Sequence, residues 1–263
     1  MSTKSSKSPK SMNSPTKLAD IIGKEIGRGG FGIVYETKND PTTCIKISNK
    51  MDFNKNTCRQ WSNEYEKINQ FINIIEKHPA FKRLKMVRIV KPRQFIETEQ
   101  LCYMTMPRIY RPEGKSSAPT IQAQLGVTTC KLVHKGRGEF IGLEEIKQYV
   151  SNEDLEIASR ELGIIMALIH FVGKNDAYDI EVFLGKEANT KKVRFYIADF
   201  DLSSTVPDVL DEESIRRIAW SMDAVPYFPR PSVDPHLFQL FINGYKTILE
   251  NEILISKMFE GYE

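Results

Sequence analysis

The chain has 263 residues, of which 41% are hydrophobic, 10% aromatic and 27% charged. That composition excludes collagen-like, coiled-coil and disulfide-scaffold proteins and suits one large domain or two lobes. The formal charge of +3 is unevenly spread: residues 1–17 carry four lysines and no acid, leaving 33 basic against 34 acidic residues in a nearly neutral body, which makes nucleic acid an unlikely partner.

Residues 1–17, mostly Ser, Lys, Pro and Thr, bury too little apolar surface to offset the entropy of ordering and are expected to form a disordered tail. Ser8-Pro9 and Ser14-Pro15 have the form of phosphorylation sites, but Ser-Pro is common in disordered chain and that plain reading is favoured. From Leu18 the pattern turns strand-rich, with a glycine cluster, then Gly32 to Glu36, an Asn39-Asp40-Pro41 turn and Thr42 to Ile47. Two β-forming runs around that turn predict a hairpin. A helix follows over residues 56–76, where Trp61, Tyr65, Ile68, Phe71, Ile72 and Ile75 recur at three- and four-residue intervals. Met86 to Val90, Gln94 to Ile96 and Leu101 to Met106 read as three strands of the same sheet.

Between Arg111 and Gly142 the periodicity is poor and Gly, Pro and Ser are frequent, so an irregular connection is expected. The most strongly helical segment runs from Leu155 to Phe171, with Gly173 as its C-cap. Ile180 to Leu184 and Val193 to Ala198 are strand-like, Leu202 to Ile218 reads as a connection, and one amphipathic helix spans about His236 to Leu254. The organisation expected is a tail (1–17), an N-terminal lobe (18–106) and a C-terminal lobe (107–263).

Cys44, Cys58, Cys102 and Cys130 lie 14, 44 and 28 residues apart without a C-x-x-C pair, so reduced thiols in a reducing compartment are expected. No hydrophobic run resembles a signal peptide, and no apolar stretch approaches the roughly 18 residues of a membrane span. The expected location is cytoplasm or nucleus. His78, His134, His170 and His236 lack zinc spacing, and His170, at a helix end, reads as a structural hydrogen-bonding group. Arg216, Arg217 and Arg230 read as a solvated face or ion pairs.

The segment Gly27-Arg28-Gly29-Gly30-Phe31-Gly32-Ile33-Val34 has G-x-G-x-x-G spacing. Alone this is weak, because it also opens dinucleotide-binding folds. Here β-forming residues follow directly and a second strand comes after the turn, so the glycines belong to a hairpin whose backbone N–H groups can approach phosphate oxygens. Lys46, in the next strand and 14 residues after Gly32, is placed to reach phosphates beneath it. The alternative is a turn glycine cluster beside a surface lysine.

With these residues the chain resembles the N-lobe of the protein-kinase-like superfamily. The resemblance makes Gly27, Gly29, Gly30, Gly32 and Val34 the nucleotide loop and Lys46 the nucleotide lysine. It also asks for a helical glutamate to pair with Lys46. Glu64 fits best, since Glu66 points about 200° away on a helix of 3.6 residues per turn. Met104 and Met106 then offer backbone groups to an adenine, though both also read as core. Asp176 and Glu181 have the five-residue separation of the catalytic aspartate and metal-binding asparagine in H-R-D-x-x-x-x-N, and Asp199-Phe200-Asp201 resembles D-F-G. By this resemblance Asp176 is the catalytic carboxylate, and Glu181 and Asp199 are the ligands of Mg2+ or Mn2+. Asp179, two residues from Glu181, is a rival base or ligand.

The pattern departs from the superfamily at Lys174, Asn175, Glu181 and Asp201, which stand where histidine, arginine, asparagine and glycine are usual. Only 62 residues follow Asp201, without an A-P-E segment. His170 to Gly185, then Ala198 to Asp201, then Pro226 to Pro231 look more narrowly like a family of kinase-like proteins best known from fungi. The resemblance implies an α+β, two-lobed protein-kinase-like fold with a β-rich N-lobe, one main helix and a reduced, mainly helical C-lobe. It implies an ATP- and Mg-dependent phosphotransferase with a protein or small-molecule acceptor; the alternative is a pseudokinase acting as a nucleotide-binding or interaction scaffold.

Overall fold

The computed structural model describes residues 18–29, 32–48, 55–98, 101–114, 118–134 and 138–262. The expected tail, residues 1–17, and Gly30 lie outside the described residues. A short α1 (Leu18–Ile21) leads into β1 (Ile22–Arg28), β2 (Gly32–Thr37) and β3 (Thr43–Ser48). The turn between β2 and β3 is built by Asp40, whose Oδ1 accepts from the Thr42 N–H at 2.9 Å and the Thr42 hydroxyl at 2.7 Å. The long α2 (Lys55–Lys77) comes next, then β4 (Val87–Ile89), β5 (Gln94–Glu97) and β6 (Cys102–Pro107). An antiparallel five-stranded sheet forms in the order β1-β2-β3-β6-β5. On α2 the buried stripe is Trp61, Ile68, Phe71, Ile72 and Ile75, as the periodicity predicts, while Tyr65 stays half-exposed.

The segment expected to be irregular holds three strands, β7 (Ile121–Ala123), β8 (Lys131–His134) and β9 (Gly138–Ile141). Each has three or four residues, too few for an alternating pattern to show; β8 and β9 pair as a hairpin, and β7 joins them to the distant β10. After α3 (Leu143–Ile146) and α4 (Asn152–Ala167) a π-helical turn runs over Leu168–Val172, followed by β10 (Glu181–Gly185) and β11 (Arg194–Ala198). The second sheet has the order β4-β11-β10-β7-β9-β8.

Its first strand corrects another expectation, since β4 leaves the N-terminal sheet and pairs in parallel with β11, Val87 against Phe195. The cause is Glu161 of α4, whose carboxylate accepts the N–H groups of Lys85, Met86 and Val87 at 2.6, 2.7 and 2.9 Å. Glu161 is 6% exposed, so Glu161→Ala leaves buried amides without an acceptor. The expected cost is about 3 kcal/mol or more, read as a lowered urea midpoint; an unchanged midpoint would show that solvent replaces the carboxylate.

Three further readings are corrected. Part of the expected 202–218 connection is helical, in α5 (Glu212–Asp223), capped by Asp211 accepting from the Ser214 N–H at 2.8 Å. The single C-terminal helix is two, α6 (Pro235–Lys246) and α7 (Glu252–Met258), because Asn251 starts a new helix by accepting from the Leu254 N–H at 3.0 Å. Cys58 and Cys102, expected as thiols, form a disulfide joining α2 to β6, with Cys44 and Cys130 free. Pairing across 44 residues depends on how α2 lies on the sheet, which cysteine spacing does not encode.

Gly173 ends the π-helical turn with φ −78°, so it is not a left-handed cap. A Cβ there would meet Ile75 Cδ1 at 2.9 Å and the Ile169 backbone oxygen at 3.0 Å, so close packing against α2 and the preceding turn favours glycine. One continuous core joins α2 (Ile72, Ile75), α4 (Leu162, Ile165), β10 and β11 (Val182, Phe195), and α6 (Phe241, Tyr245).

Candidate active site

Strand register assembles one wall of a cleft. Directly opposed residues of neighbouring strands share a face. Val34 opposes Lys46, Lys46 opposes Met104 and Cys44 opposes Met106, and all five line a cavity of about 470 Å³ with Gly27, Gly29 and Gly32. The hairpin closes with the Gly29 N–H donating to Gly32 O at 2.8 Å. A Cβ on Gly32 would stand 3.1 Å from Lys46 Cε and 3.0 Å from Ile47 O, so glycine there leaves room for the lysine stem.

The opposite wall comes from the second sheet and its loops, with Gln122, Asp179, Glu181, Asp199, Asp201 and Tyr227. Lys46 reaches across: Nζ is 2.6 Å from Asp199 Oδ1 and also contacts Asp201 Oδ2. Burial disfavours its charge, but the carboxylates of Asp199 and Asp201 outweigh burial and hold its pKa above the ordinary value. The expected Lys46–Glu64 ion pair is therefore replaced. Glu64, half-buried where Glu66 is exposed, meets the cluster through Asp201. Burial, then the hydrogen bond and repulsion from Asp201, push Glu64 well above the usual carboxylate range. Asp201 is held below the usual carboxylate range because Lys46 and the Glu64 hydrogen bond outweigh its burial. This cross-cleft contact follows from the residue that replaces the usual glycine.

The remaining carboxylates are crowded. Burial and the Asp199 charge push Glu181 up to about 7, against a hydrogen bond from Gln122. Asp199 rises to about 6 through burial and Asp201, with Lys46 opposing, and Asp179 is raised by burial and Asp201. Tyr227 donates to Gln122 Oε1 at 2.7 Å, so Tyr227, Gln122 and Glu181 form a chain that orients the Glu181 carboxylate. Gln122 lies in the segment that sequence reading left irregular, and Tyr227 belongs to the noted Pro226 to Pro231 run. Nothing local in either signals a contact with Glu181.

Asp176 is placed differently from Asp179. It is 2% exposed and does not line the cleft. Its Oδ1 accepts from the Ser204 and Tyr178 N–H groups at 2.7 and 3.2 Å, and its Oδ2 is 3.1 Å from Arg217 Nε. Lys174, Ala177, Asp179 and Asp199 all have left-handed φ, between 54° and 63°. Such strain costs about 1–3 kcal/mol per residue and persists where the surroundings enforce it; here the loop is tied to the segment after Asp201 by Asn175 donating to Ser203 Oγ at 2.9 Å. The reversals aim Asp179 into the cleft and Asp176 into the protein.

Below the loop, His170 Nδ1 and the Tyr245 hydroxyl are 2.7 Å apart. Complete burial drives His170 down to about 3, with the Asp176 backbone opposing, so it stays neutral in the fold while the unfolded chain protonates near 6.5. Between those values the unfolded state binds more protons, so stability falls as pH falls, by up to about 1.4 kcal/mol per unit. Urea unfolding from about pH 7 to pH 4 is expected to show this slope, and His170→Gln to flatten it while lowering stability overall. An equally steep slope in that variant would assign the effect to other groups.

Among the described residues no group of three His, Cys, Asp or Glu side chains converges as a self-contained metal site. Glu181 and Asp199 do suit a cation that takes one or two carboxylates and fills its remaining positions with phosphate and water oxygens, as Mg2+ does. Lys46 meets the carboxylates of Asp199 and Asp201, and Asp179 and Glu181 lie on the same side of the cleft.

The fold is thus α+β: a β-rich N-terminal sheet carrying one main helix, a C-terminal part holding the other long helices, and a cleft lined by both. The chain is similar to the crystal structure of the Mycobacterium tuberculosis PknI kinase domain at 12% identity and a TM-score of 0.42, covering 95% of this chain and 99% of that one. A double mutant of the same kinase domain matches at 12% identity and a TM-score of 0.45 over the same shares. Likenesses this distant transfer neither an activity nor a site residue. No family model and no curated protein matches the chain. No helix among the described residues is long and apolar enough to cross a membrane.

Proposed function

We propose that the chain is an ATP- and Mg-dependent phosphotransferase of protein-kinase-like type, acting on a protein or small-molecule hydroxyl. The observation that carries this reading is the convergence on one cleft of the glycine hairpin, Lys46, Asp179, Glu181 and Asp199, drawn from five separate elements or loops. Phosphoryl transfer is mainly positioning and charge neutralisation, and each residue has a part in it. Gly27, Gly29 and Gly32 let backbone N–H groups approach phosphates, and Lys46 exchanges its carboxylate partners for phosphate oxygens. Glu181 and Asp199 would hold Mg2+ or Mn2+, whose charge offsets that of the phosphates. Met104 and Met106 flank the adenine position. Asp179, which faces the cleft, accepts the proton of the acceptor hydroxyl, while Asp176 anchors the loop that presents it. The lobes are proposed to divide near Met106, with β4 belonging to the second.

The nucleotide-binding scaffold is the second reading, favoured by a specific observation: Lys46 is already held by Asp199 and Asp201. A thermal-shift titration with ATP and Mg2+, followed by an ATP-consumption assay on mixed protein and small-molecule acceptors, separates the two. The phosphotransferase reading expects a saturable shift and turnover that falls by about 10²–10⁴-fold in Asp179→Asn. A shift without turnover in any acceptor mixture selects the scaffold, and no shift removes both.

A further inference from the structure

A second cavity of about 400 Å³ backs onto the cleft and shares Val90, Pro107 and Ile109 with it. Arg88 of β4, Arg93 before β5, Arg108 after β6 and Tyr196 of β11 also line it, against one acid, Glu187. Arg108 is paired with Glu36 at 2.6 Å. Arg88 Nη1 donates to Leu84 O and Val87 O at 2.7 and 2.9 Å, and Arg93 Nη1 to Thr43 Oγ1 at 2.7 Å. Among the described residues neither Arg88 nor Arg93 forms an ion pair, so each has guanidinium donors left to give. Asp40, the acid whose pKa responds to Arg93, is taken up by Thr42 and Thr43. Tyr196 gives a second, independent sign: it is 2% exposed, and its hydroxyl is buried without a hydrogen bond of normal geometry, with the acid Glu187 and the cations Arg194 and Arg88 near it. A buried hydroxyl without a partner is unfavourable.

We propose that this cavity is a binding site for a small phosphate-bearing molecule, separate from the nucleotide cleft. Guanidinium forks match phosphate oxygens in geometry and charge. The volume suits a small metabolite phosphate or free phosphate. The proposal does not depend on the phosphotransferase reading, because Arg88, Arg93, Arg108 and Tyr196 take no part in the cleft.

The test is a thermal-shift titration of the full chain with inorganic phosphate, ribose 5-phosphate and ribose at matched ionic strength. Both phosphates are expected to raise Tm saturably and ribose to leave it unchanged; tighter binding of ribose 5-phosphate identifies an organic phosphate as the occupant, and equal binding a free one. Arg93→Gln, at an exposed position, is expected to keep the ligand-free Tm and lose the shift, while Arg93→Lys, which keeps the charge without the fork, retains a weaker one. No saturable shift with either phosphate in the unaltered chain overturns the proposal, as does an undiminished shift in Arg93→Gln.

Discussion

Replacing Lys46 by methionine is expected to destabilise the protein by about 3 kcal/mol, in the range found when one partner of a buried ion pair is removed, and to abolish any ATP-induced rise in Tm. Its side chain is 11% exposed and that of Asp201 10%, so water does not replace the lost ammonium. The change leaves Asp201 beside Asp199 and Glu64 with no cation to offset them. Adding Asp201→Asn removes one of the stranded charges, so the double variant is expected to be more stable than Lys46→Met alone. Urea unfolding in metal-free buffer reads both effects. If the two changes simply add, the cross-cleft pair is not the source of the loss, since independent sites add and coupled ones do not.

The second large effect is expected at the crossing of α4 and α6. An exposed helical glycine usually gains about 1 kcal/mol on replacement by alanine. Here the sign reverses, because a Cβ on Gly163 would lie 1.9 Å from Phe241 O, and one on Gly244 1.9 Å from Arg160 O. The backbones of the two helices touch, so neither contact is relieved by turning a side chain. Gly163→Ala is expected to lose at least about 3 kcal/mol, the upper end of overpacking costs, and to lower the far-UV melting temperature accordingly. Once the helices have moved apart, Gly244→Ala costs less, so the double variant falls short of the sum. A neutral Gly163→Ala would mean that the helices separate freely.

Parts of the site were legible because their signal is local. Gly27 to Gly32 followed by β-forming residues marks a hairpin, and the alternation around Lys46 marks its strand, though its register against Met104 came only with strand pairing. The period of α2 separated Glu64, half-buried, from the exposed Glu66. Spacing failed in the loop from Lys174 to Asp179. Counting residues favoured Asp176, but left-handed φ at Ala177 and Asp179 reverses side-chain direction within three residues, and Asp179 is the one that faces the cleft. The Lys46 partner was also misplaced, because Asp201 supplies a competing carboxylate that the superfamily's usual glycine lacks.

The sequence by itself determined what depends on neighbours along the chain: the α2 stripe, the β2–β3 turn at Asp40, the glycine hairpin, and the order in which lysine and carboxylates appear. Tertiary structure alone decided which distant groups meet. Glu161 draws β4 into the second sheet through three backbone N–H groups, Gln122 links Tyr227 to Glu181, and Cys58 finds Cys102. Each is a contact across tens of residues whose energy exists only after the chain has closed, so no local pattern announces it. The same holds for Lys46, a surface-type residue by sequence, which the closed cleft buries between Asp199 and Asp201.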